Sequence, residues 1–545
     1  MSIFQKKPIH TLIAESREEG EHTLKKTLGA YKLIALGLGA IIGAGLFSIT
    51  GMAAGAYAGP AVTVSFLIAA AGCCFAGLCY AEFASMLPIA GSAYTYSYAT
   101  LGEFIAWVIG WDLVLEYAVG ALTVSISFSQ YFVKFFEGLN IHIPEALSYC
   151  PADGGIINLP AAVIVSLLSL LLISGTEKSS WVNSVIVVMK VSIVLIFITV
   201  GWKFINSSNY TPYIPENKGT WGQFGFSGVI RAAAVVFFAF IGFDAVSTAA
   251  QEAKNPKRNM PLGILGSLLL CSVLYVLFSH VLTGVAHYTL FQGKEAIAPV
   301  AIAIDNMGTA LPDGTIQPAY PWLNKAIILA ILAGYSSVIL VMLLGQSRVF
   351  YSMSRDGLLP KIFSQVHTRF RTPFKTNFLF LVIVGVLAMF VPARVAGELT
   401  SIGTLLAFII VCISIWVMRR KMPDAPRAFK TPLVPLVPIL GIAICLFMMI
   451  YLPFDTWIRL ILWMIFGHDI YVFYGSKKSK LGAKSAPRLL SLIGLGISLL
   501  LGGFVVAHQS QIGWDNNIAF NIVLLTIAVA HISLYGSKLI LQKKS

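Results

Sequence analysis

The sequence predicts an all-α protein that crosses a lipid bilayer many times. Of its 545 residues, 57% are apolar and only 11% are charged, whereas roughly 25% are charged in a soluble protein. The mean hydropathy is +0.81, and apolar runs of about 20 residues, the length of a membrane-spanning helix, recur along the chain. A soluble enzyme, a secreted disulfide scaffold and a disordered protein are therefore poor matches.

Fourteen membrane spans are predicted. The fourth and ninth are short, whereas the third and eighth are long enough to tilt or to project from the membrane. The spans are expected at about 31–57, 61–86, 101–134, 159–176, 181–203, 225–250, 261–286, 323–352, 375–392, 397–419, 434–452, 455–475, 487–508 and 517–536.

The charge distribution predicts the orientation. The net charge is +14, which could indicate nucleic-acid binding, but in so apolar a chain Lys and Arg are expected to mark cytoplasmic loops. With the N-terminus inside, Lys and Arg on the cytoplasmic side outnumber those on the outer side by more than three to one. We therefore predict a multi-pass protein of the cell (inner) membrane with both termini cytoplasmic and no nucleic-acid partner.

The longest predicted outer loop covers residues 287–322. Its segment EAIAPVAIAIDNMG has helical apolar spacing but is too short to span a bilayer. A re-entrant or surface helix over an extracellular opening is expected there.

The first span, LIALGLGAIIGAGLFSITGMAAG, is rich in glycine. Glycine costs about 1 kcal/mol in a helix interior, so the run around Gly43, Ala44 and Gly45 is a natural place for the helix to unwind. Close helix packing through small residues is an equally good interpretation of this span alone.

The sixth span, AAAVVFFAFIGFDAVSTAAQEAKNPKRNMP, also has a glycine near its middle, Gly242, which Asp244 follows closely. An aspartate at membrane depth is costly unless it faces a wet cavity or caps a helix start; a buried, hydrogen-bonded aspartate is the alternative. Spans one and six are where a five-plus-five inverted repeat places its paired broken helices.

Two broken helices would form a polar site from main-chain groups. The N-terminal ends of the half-helices offer free N–H groups and a positive dipole, which suit a carboxylate. The C-terminal ends offer carbonyls, which suit an ammonium. Because a zwitterionic α-amino acid carries both groups, the pattern predicts recognition of the substrate backbone by bare peptide groups.

Two further ionisable residues lie within spans. Lys190 is about ten residues from either end of the fifth span, so its ammonium should face the bundle interior, where it could hold helices together or change protonation. Glu116, in the third span, is a candidate proton carrier or partner for a cationic substrate, and a structural hydrogen bond is its alternative.

Two predicted cytoplasmic segments, QEAKNPKRNMP and QSRVFYSMSRDGLLP, mix charges with turn residues. They could form a gate or latch on the inner face, or serve only as topology-setting loops.

Four motifs together resemble the amino acid–polyamine–organocation superfamily and, within it, the cationic amino acid transporter family with its bacterial members. They are GAIIGAGLF, PIAGSAYTYSYATLGEFIAWVIGWDLVLEY, FFAFIGFDAVSTAAQEAKNPKRNMPLGI and GQSRVFYSMSRDGLLP. The resemblance covers roughly residues 25–475 and implies a leucine-transporter-type fold with two inverted five-helix repeats and about four additional C-terminal helices. The implied organisation is a cytoplasmic tail (1–30), a first repeat (31–203), a second repeat (225–419), helices 11–14 (434–536) and a cytoplasmic tail (537–545).

The resemblance also implies roles for individual residues. The substrate carboxylate would be bound by Ile42, Gly43, Ala44 and Gly45. The α-amino group and side chain would meet Phe238, Ala239 and Ile241, with Phe238 as an aromatic gate, while Gly120 and Met342 would line the side-chain pocket. Lys190 matches a lysine that takes the place of a sodium ion in similar proteins, which implies sodium-independent, proton-linked transport, with Glu116 and Asp244 as further coupling candidates. Ala44 departs from the threonine that some bacterial members have in IGTG.

The function predicted is secondary active import of amino acids by alternating access, and an exchanger of amino acids or polyamines without net proton coupling is the alternative. An intramembrane enzyme or a channel is disfavoured, because the chain has no HExxH, GxSxG, Walker A or TVGYG run. No metal or cofactor is expected, and the proton is the expected coupling ion. The expected partners are an amino acid and the bilayer; cationic or small neutral preference and a small accessory membrane subunit are left open.

Overall fold

The computed structural model of the chain is a bundle of helices. It describes residues 3–17, 27–89, 91–292, 299–310, 316–368, 370, 372–452, 454–481, 487–512 and 518–544. The elements of the first half are α1 (Ile9–Arg17), α2 (Ala30–Ile41), α3 (Thr50–Ala53), α4 (Val62–Met86), α5 (Ala93–Thr100), α6 (Glu103–Glu137), α7 (Glu145–Ser148), α8 (Leu159–Ile173), α9 (Thr176–Gly201), α10 (Gly225–Val236), α11 (Ala245–Thr248) and α12 (Pro256–Val285).

The second half is also helical, apart from one two-stranded hairpin. Its elements are α13 (Pro299–Asp305), β1 (Gly308–Ala310), β2 (Ile316–Pro318), α14 (Pro321–Arg355), α15 (Phe374–Phe390), α16 (Ala393–Lys421), α17 (Leu436–Ile450), α18 (Phe454–Ile470), α19 (Ser476–Lys478), α20 (Pro487–Ile512) and α21 (Ile518–Lys544).

The predicted spans coincide with helices or with broken helices. In the described residues, ten helical segments are long and apolar enough to cross a membrane, and four further apolar helices, α2, α8, α15 and α17, are shorter. The relative lengths are confirmed: α6 and α14 have 35 residues each, whereas α8 has 15 and α15 has 17. That all fourteen segments cross the membrane stays a prediction.

The predicted outer loop contains the expected short helix and an unexpected hairpin. The helix, α13, covers the second part of EAIAPVAIAIDNMG; residues 293–298 lie outside the described residues. Strands β1 and β2 then pair antiparallel, with Thr309 opposite Gln317. Helix α13 lies against the chain after the first helix break, because a Cβ on Gly51 would come within 2.2 Å of Pro299. The loop therefore packs on the second half of the first span.

In the part of the chain that the structure describes, the buried side chains form two separate clusters. The large cluster joins α2 to α17, together with residues of α18, Tyr471 and Leu490 at the start of α20, into one core. The small one lies among α18, α20 and α21, and its members are Ile458, Ile465, Leu501, Val505, Leu524 and Ala528. Helix α20 therefore packs on α18, and α21 packs on α20, rather than on the helices that contain the breaks.

Candidate functional site

The first predicted break is present. Helix α2 ends at Ile41, and Ile42 is extended, with φ −74° and ψ 106°. Helical hydrogen bonding resumes with the N–H groups of Leu46 and Phe47, both of which donate to the carbonyl of Gly43. The N–H groups of a first helical turn have no partner within the helix. Residues 43–45 therefore place such N–H groups at the middle of the span.

The second predicted break is present in the sixth span. Helix α10 and a short 3₁₀ turn end at Phe240; Ile241 is then extended, with ψ 137°, and Gly242 has φ +108°. Helix α11 follows from Ala245. A positive φ favours glycine, and a Cβ on Gly242 would lie 2.7 Å from the Cβ of Ala40. Conformation and contact with α2 both require glycine here.

The two breaks touch each other. A Cβ on Gly45 would lie only 2.2 Å from the Cα of Ala239, so the first broken helix packs directly against the backbone of the second. The hydroxyl of Tyr275, on α12, lies 2.8 Å from the carbonyl oxygen of Ile41 and 2.9 Å from that of Ala239. The Tyr275 side chain therefore links the C-terminal end of the first half of each broken helix. The predicted meeting of two interrupted helices is confirmed.

A small cavity lies between the breaks. Seven of the nine predicted substrate-binding residues line it: Gly43, Ala44, Gly45, Gly120, Phe238, Ile241 and Met342. The other two, Ile42 and Ala239, are buried beside it without lining it. The space open to the centres of water molecules is about 10 Å³, enough for roughly one water. This conformation is closed around the cavity, and an amino acid needs side-chain or helix movement to enter.

Four further residues line the cavity and were not singled out from the sequence: Ala40, Ile41, Val124 and Val338. Val124 is four residues after Gly120 on α6, and Val338 is four residues before Met342 on α14. Because residues four apart share a helix face, helical periodicity applied to the predicted pair would have found both valines.

Lys190 points into the bundle, as predicted, and its ammonium meets the carbonyl end of the first break. Its side chain is fully buried, and Nζ donates to the carbonyl oxygens of Gly39 at 2.7 Å and Ile42 at 2.9 Å, with the Ser337 hydroxyl at 3.4 Å. An ammonium has three donors and no acceptor. These three oxygens therefore satisfy it, and the cation holds α9 to the unwound segment.

A second polar group supports this contact. The Ser337 hydroxyl, on α14, also lies 3.1 Å from the Gly39 carbonyl oxygen and donates to Asn183 Oδ1 at 2.6 Å. The signal in the sequence for Ser337 was a polar residue in the middle of an apolar span, whereas Asn183 lies near the start of its span and carried no such signal. Together with Lys190 they connect α2, α9 and α14.

Three of the buried acids, Asp244, Glu116 and Asp112, do not line the cavity. Asp244 is the residue before α11, but its side chain makes no capping hydrogen bond; it accepts instead from the Tyr117 hydroxyl at 2.5 Å. Glu116 and Asp112 are fully buried on α6, with Glu116 beside Thr404 and Asp112 facing Gly403, both on α16. The capping role expected for Asp244 is therefore wrong, while the buried, hydrogen-bonded alternative is confirmed.

The two charged segments predicted as a possible latch are in contact. Arg348, in QSRVF, forms a buried ion pair with Glu252, in QEAK. The Glu252 carbonyl accepts from the backbone N–H groups of Thr27 and Leu28, just before α2. Lys7 forms a further ion pair, 2.6 Å, with Asp356 at the end of α14. The N-terminal segment, the chain after α11 and the end of α14 are thus tied together.

Comparison with known proteins identifies the family. Residues 28–468 match the family model described as amino acid permease. The branched-chain amino acid permease BcaP of Bacillus subtilis is 44% identical over 484 residues, covering 88% of this chain and 99% of that protein. The methylthioribose transporter of the same organism is 42% identical, with the same coverage. The vacuolar cationic amino acid transporter 4 of Arabidopsis thaliana is 36% identical over 75% of this chain and 66% of that protein. These proteins are permeases and transporters rather than enzymes, and this chain is a multi-pass membrane protein that belongs to the amino acid permease family.

Proposed function

We propose that the chain imports amino acids across the cytoplasmic membrane by alternating access, as a secondary transporter with both termini in the cytoplasm. The contact between the two broken helices carries the proposal, because it brings free N–H groups and carbonyl groups to one buried cavity. The broken helices form the first and the sixth of the predicted membrane spans, which supports a fold of two five-helix inverted repeats.

The substrate class we propose is the branched-chain and other apolar amino acids. The cavity wall consists of glycine, alanine, valine, isoleucine, phenylalanine and methionine residues, and none of its lining residues is charged. Burying a guanidinium or ammonium without a charged partner is costly, whereas an apolar side chain fits such a wall. The relatives named as branched-chain amino acid permeases agree with this choice.

A cationic substrate is the second candidate, and one observation favours it. Glu116 is one helical turn before Gly120, which lines the cavity. A rotation of α6 would bring that carboxylate toward the substrate side chain. The relatives named as cationic amino acid transporters belong to the same comparison.

We further propose that transport is independent of sodium and coupled to protons. Carbonyl oxygens at a helix break are the ligands that a sodium ion would use, but here the Lys190 ammonium already binds those of Gly39 and Ile42. Lys190, Glu116 and Asp244 are the candidate proton-binding groups, since each is buried at membrane depth.

Uptake by proteoliposomes tests these proposals. Purified protein is reconstituted without internal substrate, and uptake of labelled isoleucine, arginine and methylthioribose is measured with and without an inward pH gradient, in sodium-free buffer. We expect isoleucine uptake that the gradient drives and that sodium leaves unchanged. Uptake only after preloading with substrate would favour exchange, and preferential arginine uptake would favour the cationic candidate. Transport of methylthioribose alone would overturn recognition of a zwitterion.

A further inference from the structure

A second cavity, which shares no lining residue with the first, lies between α6 and the C-terminal helices α18 and α20. Its volume is about 360 Å³, and its wall is almost entirely apolar. The wall contains three tryptophans, Trp107, Trp111 and Trp457, together with Met464 and Ile497. It occupies the boundary between the large core and the small C-terminal cluster.

Hydrogen bonds and ring stacking hold two of these tryptophans, Trp107 and Trp111, in place. The Trp107 indole N–H donates to the Gly467 carbonyl at 2.9 Å. Trp111 and Trp463 donate to each other's carbonyls at 2.9 and 3.0 Å, and their rings stack with centroids 4.5 Å apart. A wall locked in this way cannot easily collapse into the space beside it, so the cavity is a preformed apolar site.

One end of the cavity carries a buried polar group. His468 lines the cavity and is 4% exposed, and neither ring nitrogen has a hydrogen-bond partner of good geometry in the described part of the chain, although the Leu490 carbonyl lies near the ring. Buried polar groups are normally hydrogen-bonded. The ring also packs on Tyr535, over which the Lys538 ammonium lies at 5.1 Å. This end therefore suits the polar part of an amphiphile.

The opening of the cavity determines what can occupy it. Leu500 lines it and is 56% exposed, on a helix whose outer surface is apolar. In a bilayer that surface faces hydrocarbon, so lipid chains are the material next to the opening. From Trp457 to His468, α18 rises about 16 Å at 1.5 Å per residue, which is room for most of an extended acyl chain.

We propose that this cavity is a binding site for a phospholipid, whose acyl chain lies along the tryptophans and whose ester and phosphate groups lie toward His468 and Lys538. The cation at that end favours an anionic headgroup. Helix α6 also contributes Gly120 and Val124 to the substrate cavity. The bound acyl chain therefore lies against the N-terminal part of a helix whose middle part lines the substrate cavity.

The unmodified protein tests the site directly. It is reconstituted in vesicles containing phosphatidylglycerol with a diazirine in one acyl chain, irradiated and mapped by peptide mass spectrometry. We expect crosslinks at inward-facing cavity residues such as Val108 and Met464, in addition to the lipid-facing Leu499. Crosslinks confined to Leu499, Val506 and other exposed positions would overturn the proposal.

A cavity-filling variant gives a second test. Ile461→Phe with Ile497→Phe adds two rings to the cavity, and Leu499→Phe, on the same helix but facing lipid, is the matched control. Native mass spectrometry of the purified proteins should show the occupancy of one phospholipid falling at least tenfold in the double variant and unchanged in the control. Equal occupancy in both variants would show surface lipid only and would contradict the site. A competition experiment on the unmodified protein tests the headgroup preference. We expect phosphatidylglycerol to displace bound phosphatidylcholine, and equal binding of the two lipids would contradict a preference for an anionic headgroup.

Discussion

The helices around the substrate cavity and the C-terminal helices differ in how much of their apolar surface is buried within the protein. In the most apolar part of α6, and in that of the broken sixth span, 83% of the residues are buried within the protein, whereas the corresponding shares are 33% for α20 and 17% for α21. Glu116 and Asp244 lie fully buried in the first two of these segments, and the fully buried side chain of Lys190 reaches the first break from α9, in whose own most apolar part 33% of the residues are buried. The C-terminal helices α20 and α21 carry mostly lipid-facing apolar side chains.

This difference indicates in which part of the chain a substitution should impair transport. At the helix breaks, Gly45 packs on the backbone of Ala239, and the Lys190 ammonium binds backbone carbonyl groups. A small change in side-chain size or charge there therefore disturbs several helices at once. Where a helix faces lipid, a similar change meets fluid hydrocarbon. Substitutions of the same chemical type in both regions should therefore differ sharply in their effect on substrate binding.

Gly45→Ala should have the largest effect. Its new Cβ would lie 2.2 Å from the Cα of Ala239, a backbone atom that cannot rotate away. Overpacking typically costs about 1–3 kcal/mol, and here the strain falls on the cavity wall, so isoleucine affinity should fall at least tenfold. Isothermal titration or scintillation proximity binding on purified protein measures it.

Gly503→Ala is the matched control in α20, where a Cβ would meet nothing within 4 Å. It should leave affinity within twofold of the unmodified protein. Equal loss in both variants, or no loss in Gly45→Ala, would contradict the contrast between the regions.

Lys190→Met should come next. It leaves the carbonyls of Gly39 and Ile42 without their donor, and an unsatisfied buried group costs about 1–3 kcal/mol. We expect uptake driven by a pH gradient to fall at least tenfold and its dependence on external pH to flatten. Lys203→Met, just beyond the same helix and exposed, is the control and should transport normally. An unchanged pH profile in Lys190→Met would assign Lys190 a structural role alone.

Much of the broken-helix region could be predicted from sequence because its features violate the rules for an ordinary span. The glycine run around Gly43, the single glycine at Gly242, an aspartate after a break and a lysine in mid-span each have a physical interpretation from the sequence alone. Resemblance to a family then supplied positions such as Phe238 and Met342, which line the cavity.

Other features depend on contacts between distant segments, which no local pattern encodes. Tyr275 bridges Ile41 and Ala239 across three helices, and its hydroxyl is indistinguishable in sequence from that of any other tyrosine. Asp244 has the position of a helix cap, yet its carboxylate accepts a hydrogen bond from the Tyr117 hydroxyl on another helix. The cavity beside Trp107 likewise results from the docking of α18 on α6.

Phe238→Ala should have an intermediate effect. Phe238 is 7% exposed and lines the cavity together with Ile241, so removal of the ring enlarges the closed site without disturbing either break. We expect substrate dissociation to become about tenfold faster while the protein stays folded. Stopped-flow release of labelled isoleucine provides the measurement, and Phe447→Ala, 41% exposed on α17, is the control. Identical release rates would remove the gating role proposed for Phe238.

His531→Phe should have the smallest effect, and only on stability. His531 Nε2 lies 2.7 Å from Asp469 Oδ2, joining α21 to α18, and Asp469 keeps the Tyr535 hydroxyl when the histidine is removed. Loss of one hydrogen bond costs about 1 kcal/mol, which corresponds to a fall of roughly 2–4 °C in Tm for a large domain. Isoleucine affinity should stay within twofold, because α21 contributes nothing to the substrate cavity in the described residues. A tenfold loss of isoleucine affinity would mean that the C-terminal helices are part of the transport machinery and that the contrast between the two regions is wrong.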